Sequence, residues 1–265
     1  MTAELTTREP VSVEPVVRAR GVTVRFGDSV ALDGVDLDVA PGEVVALLGH
    51  SGSGKSTLMR ALTAMVPAES TALTVAGQDV ARLNPPQLRA LRSEVGFVFQ
   101  HFNLVPNLSA MTNVLTGGLH RAGRLNLVGL FHRAQRREAL HLLGRVGLEA
   151  KARQSARTLS GGQQQRVAIA RALMQHPRLL LADEPVASLD PRLADSVLTL
   201  IRQVAAERGI PAVVSLHVVD LARRYADRVV GPCGGRVVFD APVGQLDDAS
   251  VDAIYTHDEQ VDLDV

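Results

Sequence analysis

Tryptophan is absent from this chain of 265 residues, and aromatic residues make up only 3% of it. The apolar fraction, 46%, still suffices for a core, which must therefore be mostly Leu, Val and Ala. There is one cysteine, Cys233. That excludes an internal disulfide and fits a reducing compartment; beside glycines it reads as a small, inert residue. Net charge is lacking too, since 28 basic residues balance 28 acidic ones, so the whole molecule gives no electrostatic hint of nucleic-acid binding. No apolar run approaches the ~18–20 residues of a membrane span. Residues 1–15 contain Glu4, Glu9, Glu14, Pro10 and Pro15 without an apolar segment. They read as a disordered leader and not as a secretory signal. Any membrane association is expected through a partner. The length suits one large domain, or one domain carrying an inserted lobe.

Lysine is scarce in an informative way. It occurs twice, at Lys55 and Lys151, among 28 basic residues. A chain that otherwise uses Arg has Lys where a compact ammonium suits a crowded phosphate better than a planar fork. Lys55 lies in Gly49-His50-Ser51-Gly52-Ser53-Gly54-Lys55-Ser56-Thr57, after the apolar run Val44-Val45-Ala46-Leu47-Leu48 and before a helical pattern from Leu58. Strand, glycine-rich turn and helix form the context of a phosphate-binding P-loop. Glycines allow the tight turn that aims backbone N–H groups at one point, and the helix adds unpaired amides and the positive end of its dipole. Lys55 would reach the terminal phosphates and the Ser56 hydroxyl would bind Mg²⁺.

The rest of the chain arranges itself around that loop. Residues 16–20 and 22–26 read as strands, followed by an alternating strand through Leu32, Val35, Leu37 and Val39. They predict a small antiparallel sheet. Phe26, ending one strand, reads as core in preference to an adenine platform. A helix is expected after Pro85-Pro86, then a buried strand from Val95 that ends at Gln100. Residues 101 to about 158 show helical patterns, clearest from 134 to 146, and are expected to form an inserted helical lobe. Its basic run of Arg121, Arg124, Arg133, Arg136 and Arg137 reads as a solvated face, with contact to a membrane partner or anionic headgroups as the other reading.

A Ser-Gly-Gly turn then opens a second helix at Leu159-Ser160-Gly161-Gly162-Gln163, another ready-made anion site. One phosphate tail cannot use two helix N-termini from opposite ends of one monomer, but two copies facing head to tail could each supply one. Leu179-Leu180-Leu181-Ala182 suits a strand buried on both faces. It ends in Asp183, expected to orient Mg²⁺ through water, and Glu184, expected to activate the attacking water. A helix runs from about Ser188-Leu189-Asp190-Pro191 to Arg208, stopped by Gly209. The strand at 212–216 ends at His217, in the same layer as Gln100 and Glu184. Strands at Val229-Val230 and Val237-Val238-Phe239 close the core. The tail from Asp247 contains seven acids and no Lys or Arg, and is expected to be solvated and partly disordered.

Taken in order and spacing, the P-loop, Gln100, the Ser160 turn, residues 179–185, Ser188-Leu189-Asp190 and His217 resemble the ATPase subunits of ABC transporters, over roughly residues 16–245. The resemblance implies an α/β fold: a P-loop NTPase core over residues 16–246, with an N-terminal antiparallel β-subdomain, an inserted α-helical subdomain and an acidic tail at 247–265. It implies ATP and Mg²⁺ as ligands. Phe26 would stack on adenine, and residues 49–57 would hold the phosphates. Gln100 would sense Mg²⁺ and the attacking water. Ser160, Gly161, Gly162 and Gln163 would cap the γ-phosphate held by a second copy. Glu184 would be the catalytic base, and His217 would contact the γ-phosphate. Implied partners are that second copy, two transmembrane permease subunits and, indirectly, an extracytoplasmic solute-binding protein, with the chain on the cytoplasmic face of the membrane.

Finer features resemble the phosphonate importer branch. They are residues 99–105, residues 182–191, and Ser215-Leu216-His217 followed by residues 219–227. Val218, where Gln is expected, and a turn at 231–235 depart from it. Phosphate, phosphite or an amino acid is the alternative solute, and a soluble ATPase acting on nucleic acid or ribosomes is a more distant reading.

Overall fold

The computed structural model describes residues 14–121, 131–187 and 189–255. The expected leader up to residue 13, Arg124, Ser188 and the acids after residue 255 lie outside the described residues.

The opening segment forms β1 (Val17–Phe26) and β2 (Ser29–Val39), joined antiparallel. The sequence suggests two short strands before Gly27. They are one strand, which shifts register where Gly21 takes a φ of 62°. With β4 (Ala72–Val75) and β5 (Gln78–Asp79) they make a four-stranded sheet in the order β2-β1-β4-β5. The second sheet contains β3 (Val44–Leu48), β6 (Val95–Val98), β7 (Leu179–Ala182), β8 (Ala212–Leu216), β9 (Arg228–Cys233) and β10 (Arg236–Pro242). Its order is β10-β9-β3-β8-β7-β6; β10 is an antiparallel edge and the other pairings are parallel.

Both faces of the parallel sheet are covered, which is why its strands read as continuous apolar runs. Successive side chains point to opposite faces. Val44, Ala46 and Leu48 therefore join one hydrophobic cluster with Leu180, Ala182, Val214 and the helical lobe. Val45 and Leu47 join the other, with Leu179, Leu181, Val213 and the antiparallel sheet. Aliphatic side chains dominate both clusters, as the dearth of aromatics requires.

Helix ends follow local chemistry. Asn84 and Gln87 form a reciprocal capping box on α2 (Pro85–Glu94), whose first positions tolerate the two prolines. Asp190 caps α6 (Pro191–Arg208), and Gly209 ends it with a φ of 64°. The lobe comprises α3 (Ala110–Gly117) and α4 (Arg133–Arg145) packed on α5 (Gly161–Leu173). Helical packing thus continues past residue 158 into α5. The expected turn at 231–235 is shorter than its glycines suggest: Gly231, Pro232 and Cys233 end β9, and Gly234-Gly235 alone make the reversal, with φ of 53° and 78°.

The acidic tail departs from expectation. Residues 248–255 form α8 (Asp248–Tyr255). Composition missed a helical stripe: Val251, Ile254 and Tyr255, at positions i, i+3 and i+4, all pack on the core. The Asp247 carboxylate accepts from the Ser250 N–H at 2.8 Å near the start of the helix, and Ile254 is completely buried. Ile254→Ala is expected to lower unfolding free energy by about 2–4 kcal/mol, read from urea denaturation. An unchanged midpoint would mean that α8 does not dock.

Candidate active site

The site is assembled at the carboxyl ends of neighbouring parallel strands, where open α/β sheets place their ligands. Residues 49–57 follow β3 and lead into α1 (Lys55–Leu62). Gln100 follows β6, Asp183 and Glu184 follow β7, and His217 follows β8.

The loop's shape demands glycine. A Cβ on Gly49 would lie 2.9 Å from the Pro232 carbonyl oxygen, and one on Gly54 would lie 2.8 Å from a Leu32 methyl and 3.0 Å from the Ala31 oxygen. Gly54 also has a φ of 105° and, as N-cap of α1, brings no side chain to its first-turn amides. Those amides are left facing the loop's concavity, which fits an anion. Lys55 is 4% exposed. Its Nζ donates to the carbonyls of Gly49 at 2.7 Å and His50 at 2.6 Å. Burial pulls its pKa below the ordinary lysine value, opposed by the carboxylates of Glu184 and Asp183. A buried ammonium held by the loop's own carbonyls is placed to bind a phosphate. His50 Nδ1 lies 2.6 Å from the Ser51 carbonyl oxygen.

Four side chains converge on Asp183 and Glu184. The Ser56 hydroxyl donates to Asp183 Oδ1 at 2.8 Å. Gln100 Nε2 donates to Glu184 Oε2 at 2.8 Å, and His217 Nε2 lies 2.6 Å from Glu184 Oε1. Gln100, Glu184 and His217, far apart in sequence, are thus brought together. Asp183 is 1% exposed. Ser56 and Asp183 offer the hydroxyl and carboxylate oxygens that a hard cation such as Mg²⁺ takes. Among the described residues, no cluster of His, Cys, Asp and Glu resembles a softer metal centre.

Ser215 belongs to this site although the sequence reading assigns it no role. Its hydroxyl donates to Asp183 Oδ1 at 3.0 Å and accepts from the Glu184 N–H at 2.7 Å. Glu184 has a φ of 47°, a left-handed backbone that costs a branched-free L residue roughly 1–2 kcal/mol, and Ser215 satisfies the amide that this conformation turns inward. The signal in the sequence was a hydroxyl in a strand otherwise apolar, Ala212-Val213-Val214-Ser215-Leu216, buried on both faces.

Two expected site elements lie elsewhere. Phe26 is 52% exposed, so the expectation that it belongs to the core is overturned: it ends β1 at the hairpin, opposite Ser29 of β2. Ser160, Gly161, Gly162 and Gln163 form the N-terminus of α5 on the helical lobe. There the Ser160 hydroxyl and the Gln163 side chain are engaged in a capping box, and a Cβ on Gly162 would meet Leu189 at 3.0 Å and Leu193 at 3.1 Å. That packing sets the turn beside the segment that follows Glu184.

The family model described as ABC transporter matches residues 32–187, more than half of the chain. The chain belongs to the ABC transporter ATP-binding family. This ABC ATPase is 54% identical over 233 residues to the phosphonates import ATP-binding protein PhnC of Frankia casuarinae, covering 87% of this chain and 92% of that one. It is 55% identical over 242 residues to the phosphate-import ATP-binding protein PhnC of Mycolicibacterium smegmatis, covering 91% and 92%. Among solved structures, the dimeric post-hydrolysis state of the ATP-binding cassette MJ0796 bound to ADP and Pi superposes with a TM-score of 0.77 at 32% identity, over 86% of this chain and 98% of that one.

Ser215→Ala is expected to lower turnover about ten- to a hundredfold, because the Glu184 N–H loses its acceptor beside the carboxylate that Gln100 and His217 contact. ATP affinity should stay near the parental value. Phosphate release and nucleotide titration measure the two separately, and parental turnover would remove Ser215 from the site.

Proposed function

We propose that this ABC ATPase is the energising subunit of an importer of phosphorus oxyanions, with phosphonates as the solute. The observation that carries the hydrolytic part is the convergence of Gln100 and His217 on the Glu184 carboxylate, next to the P-loop. In this reading the glycine-loop amides and Lys55 bind the β- and γ-phosphates of ATP. Phe26, exposed at the end of β1, offers a face for the adenine ring. Ser56 and Asp183, with Gln100 nearby, would hold Mg²⁺, whose charge offsets that of the phosphates. Glu184 accepts the proton of the attacking water. His217 orients Glu184 and lies where a γ-phosphate would be contacted.

The Ser160 turn is the reason for a second copy. It sits on the helical lobe with its amides at the N-terminus of α5, and its capping-box hydrogen bonds join Ser160 to Gln163 and not to the loop that carries Lys55. Two chains facing head to tail would cap each nucleotide with the partner's turn, and the dimeric form of the similar cassette supports that arrangement. Among the described residues, no helix is long and apolar enough to cross a membrane. We infer attachment to two permease subunits at the cytoplasmic face, supplied with solute by an extracytoplasmic binding protein.

The solute is inferred from the relatives, since the ATPase itself need not touch it. Phosphate is the second reading, favoured by the similar protein of that name at nearly equal identity.

Glu184→Gln is expected to keep ATP binding, to lose turnover by about a hundredfold or more, and to accumulate a nucleotide-bound dimer on gel filtration; undiminished phosphate release would sink the hydrolytic role. For the solute, a strain lacking the chain should fail to grow on a phosphonate as sole phosphorus source. Normal growth there, with failure on limiting phosphate, would move the assignment to the second reading.

A further inference from the structure

Helix α8 reaches the active site. The Tyr255 hydroxyl, at the end of α8, donates to the backbone carbonyl of His217 at 2.9 Å. His217 lies just past β8, whose last paired residue is Leu216, and just before α7 (Val219–Tyr225). Neither a strand ladder nor a helix therefore sets the plane of the 217–218 peptide. Its side chain is nevertheless held 2.6 Å from Glu184. We propose that Tyr255 is a positioning residue for hydrolysis: it fixes the peptide from which the His217 imidazole is aimed at Glu184. This rests on the reading that His217 acts at the nucleotide.

The hydroxyl is well placed because α8 is anchored independently of it. Ile254 is completely buried. It fills the space above Gly231, where a Cβ would lie 2.4 Å from Ile254 Cγ1. Arg223, on α7, donates to the Leu246 carbonyl at 3.3 Å and to Asp248 at 3.4 Å. The same α7 follows His217 directly, so α7 and α8 form a braced pair around the 217–218 peptide. A tyrosine hydroxyl is protonated at neutral pH, and burial of Tyr255 raises its pKa further, so it remains a donor there. The ring packs on the main core together with Val251 and Val243, so replacing the hydroxyl by hydrogen leaves the helix seated.

The test is Tyr255→Phe in the full chain, assayed by steady-state phosphate release across ATP concentrations and by thermal melting. The expected result is a three- to tenfold fall in kcat, about the worth of one hydrogen bond, with KM for ATP unchanged within about twofold and Tm within about 2 °C. Parental kcat would overturn the proposal. So would a fall in Tm of several degrees, which would make the bond a mere anchor for α8, or a loss carried by KM. His217→Ala serves as the companion variant. If it keeps parental turnover, the underlying role of His217 fails; if it loses turnover while Tyr255→Phe does not, the Tyr255 inference alone fails.

Discussion

One carboxylate oxygen holds the site together. Asp183 Oδ1 accepts from Ser56, at the start of α1, and from Ser215, near the end of β8. The P-loop, β7 and β8 are thereby joined at a single buried point. Ser215 in turn accepts from the amide of Glu184, so the placement of Glu184 follows from the same junction. A buried carboxylate of this kind needs hydrogen-bond donors, and two serine hydroxyls supply them to Oδ1 here. The parallel register sets Leu47 opposite Ser215 and Ala182 opposite Val214, so that Asp183, next after Ala182, stands beside Ser215 at the strand ends.

How much of this was legible in the sequence depends on the range of the interaction. The P-loop, the Asp190 cap and the Gly209 stop are local, and local chemistry reads directly from neighbouring residues. The strand ends at Gln100, Glu184 and His217 were legible because apolar runs buried on both faces end where polarity begins. Ser215 was not, since its meaning depends on Asp183, 32 positions away. Nor was α8. Net acidity dominates that stretch, and three apolar side chains at helical spacing outweigh it only because the back of β9 offers Gly231 as a seat. The reading of Phe26 as core failed because a lone aromatic at a strand end carries no information about which face is covered.

Backbone strain marks the other link between site and lobe. Phe102 and Asn103 have φ of 59° and 48°, an unusual pair of left-handed residues without glycine. Arg171, a half-buried guanidinium on α5, donates to both of their carbonyls, which compensates for that conformation. These carbonyls lie two and three residues after Gln100, whose amide touches Glu184. The helix opened by the Ser160 turn thus grips, through Arg171, the segment that carries Gln100. A displacement of α5 must either carry Gln100 with it or break two hydrogen bonds to a charged donor, each worth about 1.5–3 kcal/mol. The position of the helical lobe and the environment of the Glu184 carboxylate are for that reason not independent variables in this fold.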